Sequence, residues 1–329
     1  MTWLVTGGAG YIGAHVVRAL TSAGHRVVVL DDLSTGDKGR VPDDVELAIG
    51  TVLDREVVDR TITDHAVRGV VHLAGKKQVG ESMARPTFYY RENVDGLRVV
   101  IESMAEHGLD RLVFSSSAAV YGMPDVSLVT EDTACSPLSP YGETKLAGEW
   151  LVKAAARAFG LGYVNLRYFN VAGAAPPDLG DQGVFNLIPL AFERLDAGLP
   201  PVVFGDDYAT PDGTCVRDYV HVGDIASAHL AAVRRLTESP ETALTLNAGC
   251  GSGASVREVL RIVADVTGRD LAPVVGARRP GDAACVVASA EAIRQELGWT
   301  ASHDLRSMVA SAWDAWSLRP DPSGATSQQ

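Results

Sequence analysis

Tyr141 and Lys145, in the stretch "SPYGETKLAGEW", are the pair of side chains in this chain best suited to moving a proton. Four residues apart on a helix they share a face, so the ammonium is expected to depress the phenol's pKa and let Tyr141 act as a base near neutral pH. "VFSSSAAVYG" adds Ser115, Ser116 and Ser117 at the end of a β-rich run, where one hydroxyl can bond a substrate oxygen and the phenol while others satisfy turn backbone. Taken alone, Tyr-x-x-x-Lys is common and mostly structural. Its weight changes because "LVTGGAGYIGAHVV" precedes it by the length of a doubly wound domain. There Gly7, Gly10 and Gly13 follow a strand and open a helix, which lets bare backbone approach a pyrophosphate at the helix's positive end. The second strand ends "VVLDDL", about twenty residues on, so that Asp31 can accept from both ribose hydroxyls and repel a 2′-phosphate. Asp32 stands beside it, and a solvated turn acid is the alternative for either. The set predicts NAD rather than NADP, with Tyr141 as base, Lys145 as its cation and Ser117 as the hydroxyl partner.

The elements that must position these residues alternate two hydrophobic periods. Short apolar runs at Trp3–Val5, Arg26–Leu30, Glu46–Ile49, Val70–Leu73, Arg111–Ser115 and Tyr163–Arg167 are separated by stretches with helical spacing, such as Val94, Leu97, Ile101 and Met104. That pattern predicts an α/β fold, a doubly wound parallel sheet of the Rossmann kind, with a smaller mixed α/β substrate domain at the C-terminal side. Gly24 and Gly108 fall where helices should stop, and Ser139-Pro140 can start the helix of Tyr141. The expected division is 1–170 for the dinucleotide domain, 171–318 for the second domain, with about 216–235 returning to the first, and 319–329 as a frayed tail. "TLNAG" is read as part of the second domain.

Composition limits the partners. Of 329 residues 46% are hydrophobic and 21% charged, ample for a core, and the formal net charge of -12 disfavours nucleic acid and anionic membrane, which are bound through Lys and Arg. Any phosphate ligand must therefore find local cations. Cys135, Cys215, Cys250 and Cys285 are too far apart for a metal knuckle or a disulfide framework, and the eight histidines have no metal-ligand spacing, so no metal is expected. With no apolar run of about 20 residues and no basic leader before the first strand, the chain reads as cytoplasmic.

Beyond these motifs, "HLAGKKQVGES", "FSSSAAVYG", "LRYFNVAGA", "DGTCVRDYVHV" and "ARRPGD" occur in an order and spacing that resemble the UDP-glucose 4-epimerase family of the extended short-chain dehydrogenase/reductases, from about Met1 to Trp316. The resemblance implies that Tyr11, Ile12, Asp31, Asp32, Leu73, Ala74, Gly75, Lys77, Asn93, Tyr141, Lys145 and Phe169 contact NAD. It implies that Asn170, Asn186, Leu187, Arg217, Arg279 and Asp282 hold a UDP moiety. Electrostatics favours the two arginines independently, since a diphosphate in so acidic a chain needs fixed guanidinium forks, although surface pairs of Arg217 with Asp218 or Arg279 with Asp282 are the alternative. The reaction implied is reversible oxidation of a UDP-hexose at C4, rotation of the keto sugar and re-reduction. Pairing of two copies through the helices of Val94–Met104 and Tyr141–Arg157 is also implied, against the possibility that those apolar stripes face the protein's own sheet.

The chain departs from that family in places. Thr51 replaces an acid expected to bond adenine, so adenine recognition is either altered or shifted to Asp54; Ala119 and Val171-Ala172 stand where Thr and Pro-Val are frequent. Val286 stands where a bulky Tyr restricts the hexose pocket, which predicts room for N-acetylated UDP-hexoses. Three rival readings remain. A 4,6-dehydratase would need acids straight after the central hydroxyl, where Ala118-Ala119-Val120 follow Ser117. A decarboxylase would need a cation set for a C6 carboxylate, and none is found. A non-catalytic NAD sensor would have no use for Tyr141, Lys145 and Ser117 together.

Overall fold

The computed structural model describes residues 1–269, 272–279 and 282–319; the expected tail lies outside them from residue 320 on. Seven parallel strands form the main sheet in the order β11-β7-β5-β4-β1-β2-β3, with β1 Thr2–Thr6, β2 Arg26–Asp31, β3 Glu46–Ile49, β4 Val67–His72, β5 Arg111–Ser117, β7 Gly162–Tyr168 and β11 Ala243–Ala248. The Rossmann-type fold expected from the alternating pattern is thus present. Such a sheet is covered on both faces, which is why its strands read as nearly unbroken apolar runs. Alternate residues enter opposite cores. Trp3 and Val5 pack with Val16, Val17 and Leu20 of α1 (Tyr11–Ser22) and with Ile225, Val233 and Leu236 of α8 (Val222–Glu238). Leu4 packs on the other face with Val58 and Ile62 of α2 (Arg55–Asp64), Leu97, Val100, Ile101 and Met104 of α5 (Gly96–Glu106), and Val152 of α6 (Pro140–Phe159). Each such Leu or Ile adds roughly 1.5–3 kcal/mol relative to leaving it in water. The apolar stripe of α5 is therefore taken up by the chain's own sheet.

Between β4 and α5 lie α3 (Val79–Ala84), α4 (Pro86–Tyr90) and a single π-helical turn, Arg91–Asp95. Gly24 and Gly108 follow α1 and α5 with φ of 84° and 66°, the left-handed conformation that ends a helix. Ser139 caps α6 by accepting from Gly142 N at 3.2 Å, with Pro140 at the first helical position.

The second sheet is built on β10 (Val216–His221). It pairs antiparallel with β12 (Gly253–Ser255) and parallel with β8 (Asn170–Ala172) and β14 (Cys285–Ala288), which in turn pairs with β6 (Leu128–Val129). β9 (Val202–Phe204) and β13 (Val274–Gly276) form a separate ribbon. Helices α7 (Leu187–Asp196), α9 (Val256–Thr267) and α11 (Leu305–Ser317) close this lobe around Phe192, Val259, Val263 and Met308, while α10 (Glu291–Leu297) packs beside β11.

The sequence division needs two corrections. Within 216–235 only α8 returns to the main sheet, where it lies against α1; β10 stays as the spine of the small sheet. Conversely, the stretch containing "TLNAG" does not belong to the second lobe: β11 pairs with β7 over six residues. The edge of β7 presents a full row of unpaired backbone groups, and β11 satisfies them. Because the chain runs β1-β2-β3 outward and then crosses back to β4, the carboxyl ends of β1 and β4 diverge, and a crevice opens there. Among the described residues no helix is long and apolar enough to cross a membrane.

Candidate active site

Two joined cavities open at this crevice, of about 490 and 1250 Å³. The smaller is lined by Gly7, Gly10, Tyr11, Ile12 and Gly13, by Asp31 and Asp32, by Leu73, Ala74, Gly75 and Lys77, and by Tyr141 and Lys145. The glycines are required by space. A Cβ on Gly13 would lie 2.1 Å from the Gly7 carbonyl oxygen, and one on Gly7, whose φ is 73°, would lie 2.7 Å from Ala74 N. Helix α1 starts at Gly10 with no side-chain cap, the arrangement that leaves a helix's positive end for a phosphate. Asp31 is buried; its two oxygens accept from Ala9 N and Leu33 N, each at 2.9 Å, so the carboxylate also ties the glycine loop to β2. Burial raises its pKa, and those two bonds oppose the rise. A glycine cradle that any Cβ would fill, with a carboxylate at the second strand's end, fits a dinucleotide.

The larger cavity is lined by Ser117, Asn170, Asn186, Leu187, Arg217, Arg279, Asp282 and Val286, all eight of the residues expected to meet a UDP-sugar. Short pairings place them: Arg217 of β10 lies in register with Val286 of β14, and Asn170 of β8 with Tyr219. Arg217 Nη2 is 3.4 Å from Asp282 Oδ1, whereas Asp218 is buried and accepts from Cys250 N, Gly251 N and Ala288 N. The Arg279 guanidinium stacks on the Phe204 ring, 4.0 Å from its centroid. Tyr141 lines both cavities, and so does Tyr168.

At that junction the three serines divide their work. Ser115 Oγ lies 3.3 Å from His229 Nε2, Ser116 Oγ donates to Glu149 Oε1 at 2.6 Å, and only Ser117 faces Tyr141. Lys145 is buried, and its Nζ donates to the Ser115 carbonyl at 2.8 Å. Desolvation pulls its pKa down to about 8. For Tyr141 the expected depression is not what the chain alone produces. Burial raises the phenol's pKa, and the Ser117 bond only opposes that rise.

Three other expected residues are placed as follows. Asn93 does not line the cofactor cavity. Its amide accepts from Lys76 N at 2.7 Å and donates to Lys76 O at 3.0 Å and to Thr144 Oγ1 at 2.9 Å, so both ends are used in propping the Gly75–Lys77 wall. Asn93 lies within the π turn and is its buried residue. Phe169 lines the larger cavity rather than the smaller. Asp54 caps α2 through Glu56 N and Val57 N, while Thr51 lines the cofactor cavity in the place expected for an acid.

Comparison with known proteins gives the same picture. Residues 3–249 match the model of the NAD dependent epimerase/dehydratase family. The chain belongs to that family. It is 45% identical over 314 residues, 94% of this chain and 90% of the relative, to the UDP-glucose 4-epimerase of Azospirillum brasilense. Among solved structures it resembles the UDP-glucose-4-epimerase of Stenotrophomonas maltophila, determined with NAD and formylated UDP-arabinopyranose, at a TM-score of 0.91 and 39% identity over 96% of this chain and 97% of that one. It also resembles the Bifidobacterium longum UDP-glucose 4-epimerase, determined with NAD+ and UDP, at a TM-score of 0.89 and 35% identity over 96% and 98%.

Several residues of this family member's site escaped the sequence reading. Glu149, one further turn along the face of Tyr141 and Lys145, is fully buried and holds Arg167 of β7 in a bidentate pair at 2.8 and 2.6 Å. Arg167 passes the connection to Tyr121, which donates to Asn247 of β11 at 2.6 Å. Helix α6 is thereby pinned to β5, β7 and β11 together. Helical spacing was the available signal for Glu149; nothing local marks its partners. On the opposite face His229 donates from Nδ1 to the Ile225 carbonyl, so its Nε2 accepts from Tyr168, at 2.7 Å. Arg40, from an isolated turn with no motif, lines both cavities.

Proposed function

We propose that this chain interconverts UDP-galactose and UDP-glucose by reversible oxidation at C4 of the hexose. The observation that carries this reading is the shared wall: Tyr141 stands where a glycine cradle fit for a dinucleotide meets a cavity lined by eight UDP-sugar candidates. Relatives with that activity at 45% identity support it. Tyr141 takes the proton of the 4-hydroxyl, Ser117 bonds the same oxygen, and Lys145, fixed on the Ser115 carbonyl, favours the phenolate. NAD, held by Gly7, Gly10, Gly13 and Asp31, supplies when bound a hydride acceptor and a positive ring beside the phenol. Arg217 and Arg279 hold the diphosphate, and anchoring the nucleotide alone leaves the hexose free to turn between its two faces. In this reading the main sheet with its α8 and β11 returns is the NAD unit and the small sheet with α7, α9 and α11 the UDP-sugar unit. Pairing of two copies through the outer faces of α5 and α6 belongs to it as well; the apolar stripe of α5 is spent on the chain's own sheet, and α6 leaves Trp150 63% exposed on its outer side. Tyr141→Phe is expected to lower turnover at least about a hundredfold while UDP binding is kept; near-full turnover would remove Tyr141 from the mechanism.

Val286 supports a wider substrate range. It lines the sugar-side cavity opposite Arg217 and is small enough to leave room for an acetamido group. Incubation with UDP-GalNAc is expected to yield UDP-GlcNAc at an enzyme level that equilibrates UDP-galactose; no conversion there would confine the enzyme to unsubstituted hexoses.

A further inference from the structure

The turn after β2 is laid directly on the glycine loop. Asp37 N donates to the Ala9 carbonyl at 3.0 Å, and a Cβ on Gly36 would lie 3.0 Å from the Ala9 Cβ. The Asp37 carboxylate accepts from Gly39 N at 2.9 Å and starts a single 3-10 turn that ends at Arg40. Arg40 is only 5% exposed. Its backbone carbonyl accepts from Arg18 Nη1 at 2.5 Å, and its Nη2 donates to the Gly180 carbonyl. Its Nε is buried with no partner. Among the described residues no carboxylate oxygen comes within 4.0 Å of this guanidinium, so the charge has no direct ion-pair partner. A buried cation with an unmet donor is costly unless an anion completes it. It lines the smaller cavity together with Gly10, Tyr11, Ile12 and Gly13, beside the uncapped start of α1.

The segment that Arg40 grips crosses the joint between the two cavities. Tyr11 donates its hydroxyl to the Gly173 carbonyl at 2.5 Å, and His15, whose Nδ1 donates to the Tyr11 carbonyl, accepts from Ala175 N at 3.1 Å. Lys77 Nζ lies 3.7 Å from Asp181 Oδ1, and Asp181 and Phe185 line both cavities.

We infer that Arg40 binds the diphosphate of the dinucleotide and, through Gly180, fastens the 173–181 segment over it, so that one side chain both neutralises the cofactor and latches it in. This rests on the NAD-binding reading. A diphosphate could also reach Arg40 from the UDP-sugar side, but the turn that carries Arg40 is built on the glycine loop, and Arg217 and Arg279 already serve the larger cavity.

The test is calorimetric titration of NAD, ADP, adenosine and UDP into protein stripped of nucleotide, comparing the natural chain with Arg40→Met and Arg40→Lys. Arg40→Met is expected to weaken NAD and ADP by about tenfold or more, and to leave adenosine and UDP within about twofold. Arg40→Lys, which keeps a charge but loses the fork, should fall between. Unchanged NAD affinity in Arg40→Met overturns the inference. So does an equal loss for adenosine, which would make Arg40 a latch without an anion contact, and so does a loss confined to UDP. If Arg40→Met does not fold, Arg40→Lys decides alone: NAD several-fold weaker with adenosine unchanged sustains the inference, and unchanged NAD defeats it. Failure of the natural chain to bind NAD would overturn the underlying reading together with the inference. Strong binding by the natural chain and by both variants would overturn the inference and leave the NAD-binding reading standing.

Discussion

The two sides of the cleft are made differently. On the cofactor side the walls are backbone: Gly7, Gly10 and Gly13 at the ends of a sheet whose first strand is wholly buried, with no space for added atoms at Gly7 and Gly13. On the substrate side the walls are long or polar side chains on strands of three to six residues, among them Arg217, Asn170 and Val286. The polar ones are only partly paired, Arg217 to Asp282 at 3.4 Å and Arg279 to the face of Phe204. A backbone wall tolerates no substitution and admits one ligand shape. A side-chain wall can be retuned residue by residue, which suits a site that must hold one end of its ligand and release the other.

The contrast can be broken most severely at Gly13. Gly13→Ala puts a methyl 2.1 Å from the Gly7 carbonyl, and neither α1 nor the loop can shift without losing the cradle. Abolished NAD binding and abolished turnover are the expected outcome, read by nucleotide content and assay, with circular dichroism separating a lost site from a lost fold. A variant that keeps its NAD would show that the cradle is not where the dinucleotide lies.

Lys145 sits at the seam and sharpens the comparison, because it burdens stability in favour of chemistry. Its pKa is drawn down to about 8 by burial. The folded state therefore binds its proton less readily than the unfolded chain. Below pH 8 both states are protonated and the buried charge destabilises the fold by on the order of 3 kcal/mol; that cost fades as pH rises from 8 toward the unfolded value of about 10.4. Lys145→Met is accordingly expected to lower turnover about a hundredfold or more while raising the melting temperature at pH 7, with a smaller gain at pH 10. A variant that is both less active and less stable at pH 7 would make Lys145 a structural residue.

The smallest effect is expected on the side-chain wall. Arg279→Ala should raise KM for the UDP-sugar about tenfold, with NAD content and melting temperature unchanged, because the residue is exposed and its guanidinium rests on the face of Phe204. Loss of NAD in this variant would mean that the two walls are not separable.

How far the sequence reached follows the same line. Features fixed by local geometry were legible: the glycine spacing, Ser139-Pro140 at the start of α6, Gly24 and Gly108 at helix ends, and the one-turn offset of Tyr141 and Lys145. Features that depend on what a strand or side chain meets across the fold were not. "TLNAG" reads equally well in either lobe until the open edge of β7 claims it. Ser115, Ser116 and Ser117 look equivalent until His229, Glu149 and Tyr141 sort them. The resemblance puts Asn93 on NAD, and no pattern in the sequence shows that its amide also bonds Lys76 and Thr144. Asp54 offered the acid missing at Thr51, but the start of α2 had prior use for it. Arg40 carries no pattern at all, because its partners lie at residues 18 and 180.

The most direct measurement is proton NMR of UDP-galactose incubated with the purified protein, without added NAD. The UDP-glucose anomeric signal is expected to grow to an equilibrium mixture, with no net NADH. An unchanged UDP-galactose spectrum, persisting after NAD is supplied, would contradict that expectation and return Tyr141, Lys145 and Ser117 to another sugar or another reaction.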